Sequence, residues 1–224
     1  MVKQFFRKNI SFGIIEALQN LFWELKTMQK HLVGLRQAKK YIDLKGLRLH
    51  LGCGSNIKTG WVNIDLDENA DLTLDLREPL TISDNSCSIV YSEHFLEHLD
   101  YPEKANMLLR ECFRILEPNG IVSIGVPDTE WPMLEYSGLR NDGYFEIAKE
   151  KWHPKCETEI EHVNHHFRGG TKTLHRFAYD FKTLKHILEL NGFVEIVRRS
   201  FGRHLDLKHR ELGTLYVSAH KPSL

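Results

Sequence analysis

The stretch Leu47-Arg48-Leu49-His50-Leu51-Gly52-Cys53-Gly54-Ser55-Asn56, followed after a short gap by Val62-Asn63-Ile64-Asp65, decides the fold. An apolar strand runs straight into a glycine turn, and a second strand ends on a carboxylate. Gly52 and Gly54 lack a Cβ, so the backbone there can bend sharply and come close to a ligand, while a carboxylate ending the next strand can accept both hydroxyls of a ribose. The G-x-G pair is weak alone and gains weight from the succession of strands after it. Leu72-Thr73-Leu74 before Asp75, Ile89-Val90-Tyr91 and residues 121–126 read as third, fourth and fifth strands. Residues 193–197 and 214–219 complete a seven-stranded, doubly wound α/β sheet.

Taken in order, Leu51-Gly52-Cys53-Gly54, Asp65, Asp75-Leu76, the block Ser92-Glu93-His94-Phe95-Leu96-Glu97-His98 and Arg114-Ile115-Leu116-Glu117-Pro118-Asn119-Gly120 resemble the class I S-adenosylmethionine-dependent methyltransferases, most closely the type 11 branch. The resemblance is strong over residues 49–128 and looser towards the end of the chain. It implies a Rossmann-like sheet with an antiparallel last strand and S-adenosylmethionine as cofactor. That cofactor would lie on Leu51, Gly52, Cys53 and Gly54, with Asp65 and Leu66 at the ribose, Asp75 and Leu76 by the adenine, and Ser92, Glu93 and His94 at the methionine end. A dinucleotide-binding fold is the nearest rival, but its fingerprint needs a third glycine where Ile57 stands and an acidic residue about twenty positions on. Two features depart from the methyltransferase pattern: His50 stands where an acidic residue is usual, and residues 52–60 and 66–70 are too short for crossover helices. Those two helices are expected to be reduced to turns.

Composition narrows the partners. Thirty basic residues balance thirty acidic ones, which argues against nucleic acid, since phosphate binding usually leaves a basic excess. Cys53, Cys87, Cys112 and Cys156 form no C-x-x-C pair and fit reduced thiols in a cytoplasmic protein. No apolar run reaches the eighteen or more residues of a membrane span, and Glu16 interrupts the apolar start without a cleavage site, so a signal peptide is not expected.

Residues 1–45 read as an N-terminal helical extension and 46–224 as the methyltransferase domain. In the extension Ile14, Leu18, Leu21, Leu25, Met28, Leu32 and Leu35 alternate steps of four and three, the spacing of one helical seam. Three readings stay open: the helix docks on its own domain and covers bare sheet, it forms a homodimer through the seam, or it makes peripheral membrane contact through Phe5, Phe6, Arg7, Lys8, Phe12, Phe22 and Trp23. Further helices are expected from Pro102 to Leu116, with Ala105, Leu108, Leu109, Cys112, Phe113 and Leu116 inward, and after Asp180, carrying Phe181, Leu184, Ile187, Leu188 and Leu190 and stopped by Asn191-Gly192.

Residues 129–175 exceed what a nucleotide-binding core needs and are expected to form a mobile substrate cover, hinged at Gly169-Gly170 and rich in aromatic residues and histidines. Methyl transfer from a sulfonium is an in-line displacement that depends on bringing nucleophile and methyl together in a dry pocket. A hydroxyl acceptor also needs a base, for which histidine is suited. His166 and His162, one turn apart if residues 161–167 are helical, lead as catalytic candidates, with His94 behind them. His162, His165, His166, Glu159 and Glu161 could in principle ligate a metal, but H-E-x-x-H is absent and the spacing is loose, so no metal is assigned. The function expected is O-methylation of a small polar acceptor, with a sugar or saccharide hydroxyl of a polysaccharide pathway favoured by analogy with the family. N-methylation and a non-catalytic cofactor-binding assembly role are the alternatives.

Overall fold

A computed structural model describes residues 11–169 and 174–223; Phe5, Phe6, Arg7, Lys8 and Gly170 lie outside them. The elements are α1 (Phe12–Ala38), β1 (Leu47–Leu51), β2 (Val62–Ile64), β3 (Cys87–Glu93), α2 (Glu103–Ile115), β4 (Leu116–Pro127), α3 (Glu130–Tyr136), α4 (Tyr144–Ile147), α5 (Glu159–Arg168), α6 (Phe181–Leu190), β5 (Val194–Arg198) and β6 (Thr214–His220). The strands form one sheet in the order β2-β1-β3-β4-β6-β5. The first four strands run parallel, and β6 is antiparallel to both its neighbours. The strand order reverses between β1 and β3, which places the glycine turn and the segment after β3 at the switch point where such sheets bind ligands.

The sequence pattern predicts seven strands, and the sheet has six among the described residues. Residues 72–74 keep a single parallel bridge, Leu72 to Ile64. The reason is local: α1 supplies the hydrogen bonds an outer strand would otherwise make. The Thr73 amide donates to Gln37 Oε1 (3.2 Å), the Thr73 hydroxyl to the Lys30 carbonyl (3.1 Å), and the Asp75 amide to His31 Nδ1 (3.1 Å). This satisfies and covers an edge that would otherwise stay open. No helix interrupts residues 52–86, so both early crossovers are turns.

Helix α1 therefore docks on its own domain, and Leu35 is the seam residue that packs on the core. Thr27, Gly34 and Ala38 are its buried residues, and a Cβ on Gly34 would stand 2.4 Å from the Thr73 carbonyl oxygen. Glycine is needed there for helix and edge to touch. Leu18, Leu21, Leu25, Met28 and Leu32 remain at least half exposed. Among the described residues no helix is long and apolar enough to cross a membrane.

The core lies between the sheet and helices α2 and α6. Ala105, Leu108, Leu109, Cys112 and Ile115 are buried along α2, and each large side chain so placed contributes about 1.5–3 kcal/mol. Leu116 belongs to β4, opposite Cys87, rather than to the helix. The Asp180 carboxylate caps α6 at the Thr183 amide (2.7 Å) and Leu184, Ile187 and Leu188 are buried, whereas Leu190 falls past the buried arc and is exposed. Residues 130–168 carry α3, α4 and α5 around a small core of Trp131, Tyr144 and Ala148, with Phe145, Ile147 and Trp152 packed on it.

Candidate functional site

The glycine turn is held by β2, with the Gly52 amide donating to the Ile64 carbonyl at 2.9 Å. Gly52 has φ of 66°, and a Cβ there would lie 2.3 Å from the Phe95 ring, so both conformation and packing require glycine. Gly54, at φ 50°, has open space where its Cβ would be and donates its amide to Asp65 Oδ2 (2.8 Å). The other carboxylate oxygen accepts from the Asp67 amide (2.9 Å). Asp65 is thus oriented by two backbone donors while a carboxylate has about four acceptor positions, so two remain for a ligand. It lines a cleft of about 250 Å³ together with Leu66, Leu76, Phe95, His98 and, from α1, Trp23.

Asp75 also lines this cleft, but its carboxylate is engaged by Arg77, whose Nε and Nη2 donate to it at 3.0 and 2.8 Å while Nη1 and Nη2 also reach Glu24 of α1. The Leu76 backbone and the Asp75 rim, rather than a free carboxylate, are what this end offers. Leu51 is core. Cys53 is buried and its thiol is pushed up to about 12 by burial and then by the Asp65 charge, so it is neutral and no nucleophile. Ser92 and Glu93 are buried at the end of β3; Glu93 Oε1 accepts from the Tyr216 hydroxyl (2.8 Å). His50 is also buried, its Nδ1 3.3 Å from Asn63 Oδ1, and burial followed by the Lys58 charge pushes it down to about 4. A neutral imidazole stands where the family pattern has a carboxylate.

A second cavity, of about 290 Å³, is lined by His94, Tyr144, Trp152, His166, His175 and Arg210, among others. Neighbouring residues of one turn divide the two spaces: Phe95 lines the first and His94, at φ 53°, the second. His94 Nε2 lies 2.8 Å from the Thr214 hydroxyl, and burial, then the Arg210 charge, lowers its pKa well below the usual value. Helix α5 carries a capping box between Thr158 and Glu161, so His162 and His166 share a face. Only His166 lines the cavity. Its Nε2 is 3.3 Å from Thr129 Oγ1 and its Nδ1 3.5 Å from the Tyr144 hydroxyl. His162 packs beside Phe145 and His153 instead.

Some site residues carry no signal in the motifs. Arg210 and His209 reach the cavity from the connection between β5 and β6. Arg210 Nη1 donates to the Glu93 carbonyl at 2.7 Å, which ties that connection to the end of β3. The charged run Asp206-Leu207-Lys208-His209-Arg210 between two strands is the one hint in the sequence. Glu97, which the sequence marks only as helix-start structure, is buried beneath His94 and His98. Its Oε1 lies 3.8 Å from His94 Nδ1 and 3.9 Å from His98 Nε2, and burial pushes its carboxyl up to about 8.

Residues 49–124 match the family model described as a methyltransferase domain, of the type 11 branch. That segment runs from β1 through β4 and contains the glycine turn, Asp65, Asp75 and the Ser92-to-His98 block. These features define a class I S-adenosylmethionine-dependent methyltransferase fold with S-adenosylmethionine as its cofactor. The matched segment supports methyl transfer from S-adenosylmethionine as the chemistry of this site. No curated protein matches the chain. Similar solved structures include a SAM-dependent methyltransferase from Archaeoglobus fulgidus (18% identity, 86% of this chain and 94% of that one, TM-score 0.49) and one from Methanosarcina mazei (16%, 83% and 97%, TM-score 0.49). A third is Haemonchus contortus phosphoethanolamine N-methyltransferase 2 in complex with S-adenosyl-L-methionine (14%, 85% and 52%, TM-score 0.46).

Proposed function

We propose that the protein transfers the methyl group of S-adenosylmethionine to a hydroxyl of a small polar acceptor, most readily a sugar or saccharide, bound in the histidine cavity. The observation that carries this reading is the cavity itself: about 290 Å³ of space with His94, His166, Tyr144 and Arg210 on its walls, beside the Asp65 cleft. Aromatic faces with a few polar groups suit a sugar-sized ligand. The acceptor oxygen attacks the methyl carbon, the carbon–sulfur bond breaks to leave neutral S-adenosylhomocysteine, and the hydroxyl proton passes to the His166 imidazole. The buried, free thiols of Cys53, Cys87 and Cys112 support a reducing, cytoplasmic setting. Incubation with methyl-labelled cofactor and a panel of nucleotide sugars, glycans and amines tests the acceptor class; label entering amines alone would refute it. In the cofactor half, Asp65→Ala should weaken S-adenosylhomocysteine binding by about 1.5–3 kcal/mol, and calorimetry giving the wild-type affinity would remove Asp65 from the ribose.

A second copy of the chain is the partner that fits α1. Its leucines repeat every 3.5 residues on average, the period of a coiled-coil seam, and they remain exposed after the helix has docked. Exposed apolar seams of this length on a helix are sites of association. Sedimentation of the wild-type chain should give a dimer and Leu25→Glu with Leu32→Glu a monomer; a monomeric wild type at high micromolar concentration refutes the seam.

A further inference from the structure

We propose that Glu97, His98 and His175 form a divalent-cation site at the boundary between the cofactor cleft and the histidine cavity. One ligand atom from each of the three lies within 4.8 Å of the others. Atoms bound about 2.0–2.2 Å from a common ion stand roughly 3–4 Å apart, so a small inward shift completes the set. The Glu97 side chain is only 1% exposed, and neither carboxylate oxygen has a hydrogen-bond partner among the described residues. A buried carboxylate without partners is costly. His98 Nε2 lies 3.9 Å from Glu97 Oε1, too far for a hydrogen bond but suited to shared ligation; His94 Nδ1, at 3.8 Å and outside the set, is too far to hydrogen-bond as well.

The tautomers agree. His98 Nδ1 lies 3.0 Å from the Leu174 carbonyl oxygen and His175 Nδ1 lies 2.8 Å from that of His166. A carbonyl only accepts, so each Nδ1 must carry the hydrogen, leaving both Nε2 lone pairs unprotonated. A backbone carbonyl behind one ring nitrogen is the usual way a ligating imidazole is oriented. The signal is hidden in sequence because His175 is far from Glu97 along the chain. They meet because the Arg176 and Phe177 amides donate to the Glu97 carbonyl at 2.7 and 3.2 Å.

Two imidazoles and one carboxylate favour a transition-series ion such as Zn²⁺, Co²⁺ or Mn²⁺ over Ca²⁺ or Mg²⁺ and leave coordination positions open. His98 lines the cofactor cleft and His175 the second cavity, so an open position would face the acceptor. Resting on the hydroxyl-acceptor reading, the ion would polarise that oxygen and make its proton easier to remove.

The probe is Co²⁺ added to the full-length chain after chelator treatment and desalting, read by visible absorption and calorimetry, with S-adenosylhomocysteine binding as the check on folding. One Co²⁺ per chain is expected, with affinity at least tenfold weaker in His175→Ala and in the near-isosteric Glu97→Gln, and unchanged in His153→Ala, a histidine outside the set. Absence of stoichiometric uptake by the wild type would mean that a proton alone occupies Glu97 and would overturn the site. Uptake indifferent to Glu97→Gln in a variant that still binds S-adenosylhomocysteine would do the same. Because cobalt uptake is read without any acceptor, failure of the saccharide reading leaves this result standing, and the converse also holds.

Discussion

Replacing His166 by alanine is expected to lower turnover about 10²–10⁴-fold, the usual contribution of a positioned base, while cofactor affinity stays nearly unchanged. His166 lines the second cavity and is not among the residues around the Asp65 cleft. Burial first, then the charges of His175, His153 and His165, push its pKa down to about 4. It is therefore neutral near pH 7 and ready to accept a proton. The acid limb of its pH profile should lie nearer 4 than 6.5. Folded-state pKa values below the ordinary 6.5 mean that the unfolded chain takes up protons first, so acid withdraws stability from about pH 6.5 down towards 4 and melting must be followed alongside the kinetics. His162→Ala should have a much smaller effect, since its ring packs against Phe145 and His153 and does not itself line the cavity. Wild-type turnover in His166→Ala with a working acceptor would move the base elsewhere, with His94, His98 and Asp128 next in turn.

The parts of this protein that sequence reveals are those fixed by local rules. A glycine turn needs positive φ at Gly52 and Gly54 wherever it occurs, strands of β-branched residues declare themselves, and Asp180 caps the helix after it. Two failures have one cause: a choice among partners brought together by the fold. Leu72-Thr73-Leu74 has the composition of a strand, yet Gln37, Lys30 and His31 take up its neighbouring polar groups and a single bridge is left. The leucine seam of α1 is visible as a period, but a period does not say which face docks; the small residues Gly34 and Ala38 decide it by allowing close approach. In the site, Asp65 and the glycines are legible from the motif. Arg210 is not, because its contact with Glu93 joins positions 117 residues apart and no local pattern announces such a pair.

That long-range part of the site depends on one buried ion pair, and Arg199→Ala is expected to destabilise the protein by about 3–5 kcal/mol. The Asp206 side chain is fully buried. Its carboxylate accepts from Arg199 Nη1 at 2.6 Å and Nη2 at 2.7 Å, from the Tyr91 hydroxyl at 3.1 Å and from the Gly202 amide at 2.7 Å. Arg199 also donates from Nε to the Ser123 hydroxyl at 3.0 Å and lies over the Tyr216 ring at 4.6 Å. Removing the guanidinium leaves two neutral donors around a carboxylate cut off from water, and an uncompensated buried charge costs more than the pair contributed. At about 2–4 °C per kcal/mol for a chain of this size, the melting midpoint should fall by roughly 6–20 °C. Adding Asp206→Asn should recover part of the loss by removing the stranded charge. The same pair anchors the connection that brings Arg210 to Glu93, so the single variant should lose turnover at temperatures where it is still folded. A melting midpoint within about 2 °C of wild type, the equivalent of less than about 1 kcal/mol, would show that Asp206 finds water or a proton in place of Arg199, and that Arg210 is held by its own contacts to Glu93 alone.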